Sequence, residues 1–110
     1  MATPEGFAID VTASGDRTLV TIRGELDMSN TPSLVEILTK DAGVGTSVVI
    51  DLSGVTFLDS SAIGGLVSAG QTLNEAGSRL TIGPRSDTVA RVLEITGLAQ
   101  GTDAFDVEAD

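Results

Sequence analysis

The sequence contains no cysteine and no histidine. Without cysteine there is no disulfide framework, no thiolate nucleophile and no thiol clue to redox compartment. A Ser-His-Asp triad, a Cys-His dyad and the usual zinc sites are impossible. Tryptophan and tyrosine are also absent, and three phenylalanines are the only aromatics. A carboxylate-pair hydrolase would lack the aromatic walls that commonly line a binding cleft. Cations are scarce: Lys and Arg total 6 against 16 Asp and Glu, for a formal charge of −10. Such a field repels nucleic acid and anionic membrane surfaces, attracts basic protein patches, and in most acidic domains only keeps the chain soluble. Lys40 is the only lysine. It falls in the first predicted helix, so the cation that a phosphoacceptor receiver needs near its last strand is missing.

Other absences narrow the field further. No run approaches the roughly 18 apolar residues of a membrane span. The first residues, Met1-Ala2-Thr3-Pro4-Glu5-Gly6, lack the basic and apolar regions of a signal peptide, and the expected compartment is the cytoplasm. No Gly-Lys-Ser/Thr follows a glycine-rich loop, so there is no P-loop, and Gly83-Pro84-Arg85 reads as a strand-to-helix turn. Glu25, Asp27, Asp51 and Asp59 do not form a calcium-loop ligand set. No metal, no cofactor and no catalytic group is expected.

What remains is ordinary globular chemistry. A chain of 110 residues with 41% hydrophobic content is the size of one domain, 1–110, with a core about 7–107. Its core must be packed from Val, Ile, Leu and Ala, with close approaches at some of the 13 glycines.

Phe7, Ile9 and Val11 alternate with Ala8, Asp10 and Thr12, as in a strand with one buried face. Ser14-Gly15-Asp16 is turn chemistry, and Val20 and Ile22 alternate through 18–23, which completes a β-hairpin. A helix follows, capped by Thr31, with Pro32 at its first position, Leu34, Ile37, Leu38 and Ala42 on one face, and Gly43 as its stop. The apolar run at 47–52 suits a strand covered on both faces. A short connection containing Gly54 leads to a second helix over about 61–76, with Ile63, Leu66, Val67 and Leu73 at helical spacing. The Gly64-Gly65 pair lets that helix lie close to the sheet. A strand at 79–82 precedes a third helix, opened by Ser86 or Asp87, carrying Val89, Val92, Leu93 and Thr96 and stopped by Gly97. In the tail, Ala104, Phe105 and Val107 make a last short strand or a docked turn. The order β-β-α-β-α-β-α, with or without a final β, implies an α/β fold with a mixed, mostly parallel sheet of four to five strands packed against helices.

The informative stretch runs from Val48-Val49-Ile50-Asp51-Leu52-Ser53 to Phe57-Leu58-Asp59-Ser60-Ser61-Ala62-Ile63-Gly64. Taken alone, Asp-Ser-Ser is a helix N-cap, and Asp59 and Ser60 both qualify for the role. The stretch resembles the signature of the STAS family, and specifically its bacterial anti-sigma factor antagonists. Gly24-Glu25-Leu26-Asp27, Asn74-Glu75-Ala76-Gly77-Ser78-Arg79-Leu80 and Arg91-Val92-Leu93-Glu94-Ile95-Thr96-Gly97-Leu98 are similar to three further family motifs, in the family's order. Two features depart from the pattern: Ala62 replaces the usual glycine, and the C-terminal segment is short and poor in apolar residues.

The resemblance implies a STAS fold and a switch. An unphosphorylated antagonist would bind an anti-sigma factor that is also a serine kinase, and so release a sigma factor. Phosphorylation at Ser60, with Ser61 as the second candidate, would break that complex, and a PP2C-type phosphatase would restore it. Asp27, Asp59, Ser60, Ser61 and Gly64 would face the partner. For Asp27, a turn or cap role before the first helix competes with contact. The chain would act as a monomer or weak dimer. The rival reading is a STAS subunit of a transporter or lipid-trafficking complex that docks constitutively on an ATPase. For nucleotide binding or hydrolysis, a third reading, nothing in the sequence marks a site.

Overall fold

A computed structural model describes residues 7–41 and 47–109. Strand β1 (Phe7–Ser14) turns through Gly15 and Asp16 into β2 (Arg17–Leu26). Gly15 has φ +62°, which suits the first central position of a two-residue II′ hairpin turn. Helix α1 (Thr31–Glu36) continues as a π-type turn over Ile37–Asp41. Then come β3 (Ser47–Leu58), α2 (Ser60–Glu75), β4 (Arg79–Arg85), α3 (Asp87–Ile95) and β5 (Phe105–Val107). The five strands lie side by side in chain order, β1 antiparallel to β2 and the others parallel. Phe105 and Val107 of the tail therefore lie in a fifth strand, with Ala104 just before it.

Register explains the core. Val20 pairs with Ile50, Ile50 with Ile82, Val48 with Leu80, and Leu80 with Phe105; every one of these side chains is fully buried. Leu34, Leu38, Leu66, Leu73, Val89 and Leu93 from the helices join the same cluster. The opposite face carries Asp10, Arg23, Thr81, Asp106 and the 41%-exposed Leu19, and it is open to solvent. The expectation that 47–52 is covered on both faces is thus corrected. Val49 stands outside the core cluster, screened by its strand neighbours Leu19 and Thr81.

Several boundaries also differ from those read in the sequence. β2 runs on to Leu26, and β3 passes straight through Gly54 to Leu58, where a connection was expected. Register shifts between Thr21 and Arg23 and between Gly24 and Glu25 keep the two strands paired, and Gly24 takes φ +96° there. Such irregularities leave no hydrophobic alternation to read. Residues 83–85 likewise continue β4 and are not a turn. Asn30, not Thr31, occupies the N-cap of α1, and Ile37 is only half-buried. The expected Ala42 and Gly43 positions lie outside the described residues. Thr96 caps the C-terminus of α3 and is exposed, so it is not part of the core.

Helices α2 and α3 end alike. Gly77 (φ +83°) and Gly97 (φ +79°) follow their C-caps. The amides of Ser78 and Leu98 reach back to Leu73 and Leu93 carbonyls at 2.8 Å, as Schellman closures do.

Two glycines set the seat of α2. A Cβ on Gly65 would overlap the Thr31 methyl, so this glycine brings α2 against α1, not against the sheet as its sequence context suggests. A Cβ on Gly70 would overlap the backbone oxygen of Ala104, which precedes β5. Arg79 fastens that same C-terminal segment. Its guanidinium is bidentate to Asp106 at 2.9 and 3.0 Å, and it also donates to the Asn74 Oδ1 and to the carbonyls of Thr102 and Asp103. That bonding holds the Asp106 carboxyl below the usual Asp range.

Gly70→Ala gains about 1 kcal/mol of helix propensity. Overpacking against a backbone atom costs about 1–3 kcal/mol and should win. Gly64, whose Cβ would meet nothing, is the control, and Gly64→Ala should stabilise. Urea denaturation of both variants should therefore move the midpoint in opposite directions.

Candidate functional site

The site is assembled where the parallel strands β2 and β3 end together. Leu26 pairs with Leu58, and the next residue, Asp59, donates its N–H to the Leu26 carbonyl at 3.2 Å. That bond holds Asp59 extended (φ −104°, ψ −180°), the backbone state an N-cap requires. Its carboxylate accepts from the Ala62 amide at 3.0 Å, and its carbonyl accepts from the Ile63 amide at 3.2 Å. Asp59 is therefore the cap of α2, and Ser60 is the first helical residue.

The consequence for the two serines is direct. Ser60 is exposed, and its hydroxyl plays no part in capping. Ser61 is half-buried, and Ala62 beyond it is fully buried. Among the described residues, the amides of Ser60 and Ser61 have no protein acceptor. They point from the positive end of a 16-residue helix. Gly64 is four residues on, hence on the same side of the helix as Ser60, and it is exposed too. Ser60, Gly64 and Ser68 make an open stripe of small residues.

Asp27 sits one residue past the strand end that holds Asp59. It organises the turn into α1: its carboxylate accepts from the Ser29 amide at 2.9 Å and from the Ser29 hydroxyl. Its carbonyl accepts from the Thr31 hydroxyl at 2.7 Å and the Thr31 amide at 3.0 Å. Thr31 thus donates to the turn, where a capping role was expected of it. Sequence reasoning missed Asn30, whose amide side chain accepts from Asp27 N–H and donates to the Glu25 carbonyl at 2.8 Å. An Asp followed three residues on by Asn, just before a helix, is the signal that was available. The Ser29 hydroxyl, then the Ser29 amide, hold the Asp27 carboxyl below its ordinary range.

The structure therefore brings Asp59, Ser60 and Gly64 together on one exposed helix start, with Asp27 on the adjoining turn. Ser61 turns partly inward. Two large exposed apolar side chains lie at the same end of the β2–β3 pair: Met28 (73% exposed) on the turn after β2, and Phe57 (47%) on the sheet's open face. A groove of about 420 Å³ lies elsewhere, beside α3 and the C-terminal strand, lined by Arg85, Leu93 and Glu108 among others. Surroundings of this kind suit recognition by another protein. Among the described residues no helix is long and apolar enough to cross a membrane.

Asp59→Ala removes the cap and should cost about 1 kcal/mol in urea denaturation, while Asp59→Asn should retain most of it. For Asp27, NMR titration should find the carboxyl below the usual Asp value, and Ser29→Ala should raise it. Because the folded value is the lower one, the stabilisation this carboxylate provides is present above the unfolded pKa. It is lost as pH falls through the folded one.

Residues 8–110 match the STAS domain family. The anti-sigma-B factor antagonist of Staphylococcus aureus (strain NCTC 8325 / PS 47) is 38% identical over 80 residues, covering 72% of this chain and 74% of that protein. The crystal structure of an anti-sigma factor antagonist from Mycobacterium paratuberculosis superposes with a TM-score of 0.76 at 24% identity, over 100% of this chain and 92% of the other. The anti-sigma factor antagonist SpoIIAA in its unphosphorylated form gives 0.73 at 18% identity, over 94% and 90%. Bacillus SpoIIAA in the phosphorylated form gives 0.64 at 17%, over 94% and 93%. These structural likenesses are of fold, and the family rests on the sequence matches: the chain belongs to the STAS domain family.

Proposed function

We propose that this chain is an anti-sigma factor antagonist whose binding is switched at Ser60. Unphosphorylated, it binds an anti-sigma factor that is also a serine kinase, and the sigma factor is freed. The kinase transfers the γ-phosphoryl group of ATP to Ser60 Oγ. A phosphorus–oxygen bond to the serine forms, the bond to ADP breaks, and the hydroxyl proton passes to a base on the kinase. A PP2C-type phosphatase restores the hydroxyl by hydrolysis: water forms a new oxygen–phosphorus bond, the bond from phosphorus to the serine oxygen breaks, and inorganic phosphate leaves. Relatives at 38% identity bear the antagonist name, and SpoIIAA has been solved in both phosphorylation states.

One observation carries the reading. Asp59 does the capping, so the neighbouring Ser60 hydroxyl is free and exposed. A phosphate there brings roughly −1.5 to −2 charges. Within the domain, two unpartnered amides and the helix dipole tolerate it, so the fold need not change. Across an interface fitted to a hydroxyl it is bulky, costly to desolvate, and repelled by Asp59 and by the phosphates of the kinase-bound nucleotide. Switching then works by occlusion and charge. Half-buried Ser61 is the poorer acceptor.

Incubation with the cognate kinase and ATP, followed by peptide mass spectrometry, should place phosphate on Ser60. Ser60→Asp should weaken kinase binding and Ser60→Ala should keep it. No phosphate at Ser60 would sink the switch, and equal binding by both variants would point to constitutive docking.

A further inference from the structure

Five large apolar side chains are exposed among the described residues: Val11, Leu19, Met28, Phe57 and Ile95. Single exposed apolar residues are ordinary on soluble domains. Met28 and Phe57 differ because both stand at the sheet edge that presents Ser60. Phe57 pairs with Glu25 on the sheet's open face, the side opposite buried Leu58. Three residues of chain separate it from Ser60, a span of at most about 10 Å. Met28 lies two residues beyond Leu26, whose carbonyl holds Asp59.

The turn around Met28 is held on both sides. Asp27, Ser29, Asn30 and Thr31 are all hydrogen-bonded to one another or to Glu25. Met28 is thus displayed, 73% exposed, from a backbone already fixed. A partner that covers it has to order the side chain but not the turn that carries it, so only part of the usual ordering cost remains. Glu25, which pairs with Phe57, and Asp27, next to Met28, put negative charge beside the two apolar side chains. Arg17 and Arg79 open their strands at the opposite end of the sheet. Arg23 and Lys40 are paired with Asp10 and Glu36, and Arg85 donates to the Gly83 and Glu108 carbonyls.

We propose that Met28 and Phe57 are the apolar anchors by which the unphosphorylated chain holds its kinase, in a partner surface that is apolar at its centre and rimmed by Lys or Arg. This inference rests on the antagonist reading and deepens it. Recognition is borne by the strand ends and the turn, leaving the Ser60 hydroxyl free to meet the nucleotide. The basic rim attracts Glu25 and Asp27, while the phosphates facing Ser60 repel its phosphorylated form, so one interface both attracts the acidic chain and rejects the product.

The test uses the full chain and the cognate anti-sigma factor kinase, with calorimetric titration and steady-state phosphorylation. Met28→Ser and Phe57→Ser should each raise Kd, and KM for the protein substrate, by about tenfold or more, with kcat unchanged. Ile95→Ser, on the exposed side of α3, should alter neither. Met28→Ser and Ile95→Ser should keep the wild-type melting temperature, and Phe57→Ser, which loses the packing of its covered part, should melt lower but stay folded at the assay temperature. Affinity should fall as salt is raised. If the kinase binds wild type, Met28→Ser and Phe57→Ser alike, or if Ile95→Ser weakens binding as much, the anchors are wrong while the antagonist reading stands. Salt-independent affinity would overturn the basic rim. Failure of the wild-type chain to bind the kinase at all would overturn the antagonist reading and this inference with it.

Discussion

A single backbone hydrogen bond, from Asp59 N–H to the carbonyl of Leu26, joins the end of the parallel sheet to the start of α2. It sets Asp59 in extended geometry, which aims the carboxylate at the Ala62 amide and commits Asp59 to the cap. Once that role is filled, Ser60 has nothing to do inside the domain. Its hydroxyl is left on the surface, at the positive end of a long helix, with two amides to spare. The same bond draws the turn after Leu26 alongside, so that Asp27 and Met28 share an edge with Ser60. The candidate site is in this sense a by-product of how a parallel pair terminates.

The rest of the architecture holds that edge in place. Gly65 admits the Thr31 methyl, so α2 packs against the helix that follows the Asp27 turn. Thr31 in turn donates to the Asp27 carbonyl, which ties the turn to the helix pair. At the other end of α2, Gly70 admits the Ala104 carbonyl and Arg79 fastens Asn74 and the approach to β5. Contacts with backbone or β-branched atoms at close range do not yield easily, because packed interiors have little free volume. On the proposed reading, a phosphate added at Ser60 would meet a rigid platform and act on the partner, not on the fold.

Charge divides the molecule in a useful way. A net charge of −10 repels other polyanions, and four of the six cations are engaged in ion pairs or backbone hydrogen bonds within the chain. Arg79 is the clearest case, saturated by Asn74 of α2 and by Thr102, Asp103 and Asp106 of the C-terminal segment. Among the described residues, Glu25, Asp27 and Asp59 at the end of the sheet bearing Ser60 make none of the ion pairs found. That asymmetry is a surface property, built by register and turn geometry from residues far apart in the chain.

The sequence by itself determined the kind and order of the elements, the aliphatic core and the family. Alternation, glycine stops and four ordered motifs are local signals, and local signals are legible without coordinates. It also carried the Asp-Ser-Ser motif, though not the division of labour within it. Asp59 and Ser60 are equally competent cap residues, and the choice fell to Asp59 because a carbonyl on another strand, 33 residues earlier in sequence, fixes its backbone. The bulged pairing of β2 with β3 was hidden for a related reason: irregular register breaks the period that reveals a strand, and only the neighbouring strand's hydrogen bonds carry Gly54 inside one. Gly65 looked like a helix-to-sheet contact until the structure put Thr31 beneath it. Which face Phe57 presents, and which turn displays Met28, depended on the same cross-strand register. Tertiary structure decided these points because each is set by a partner distant in sequence, about which the local pattern holds no information.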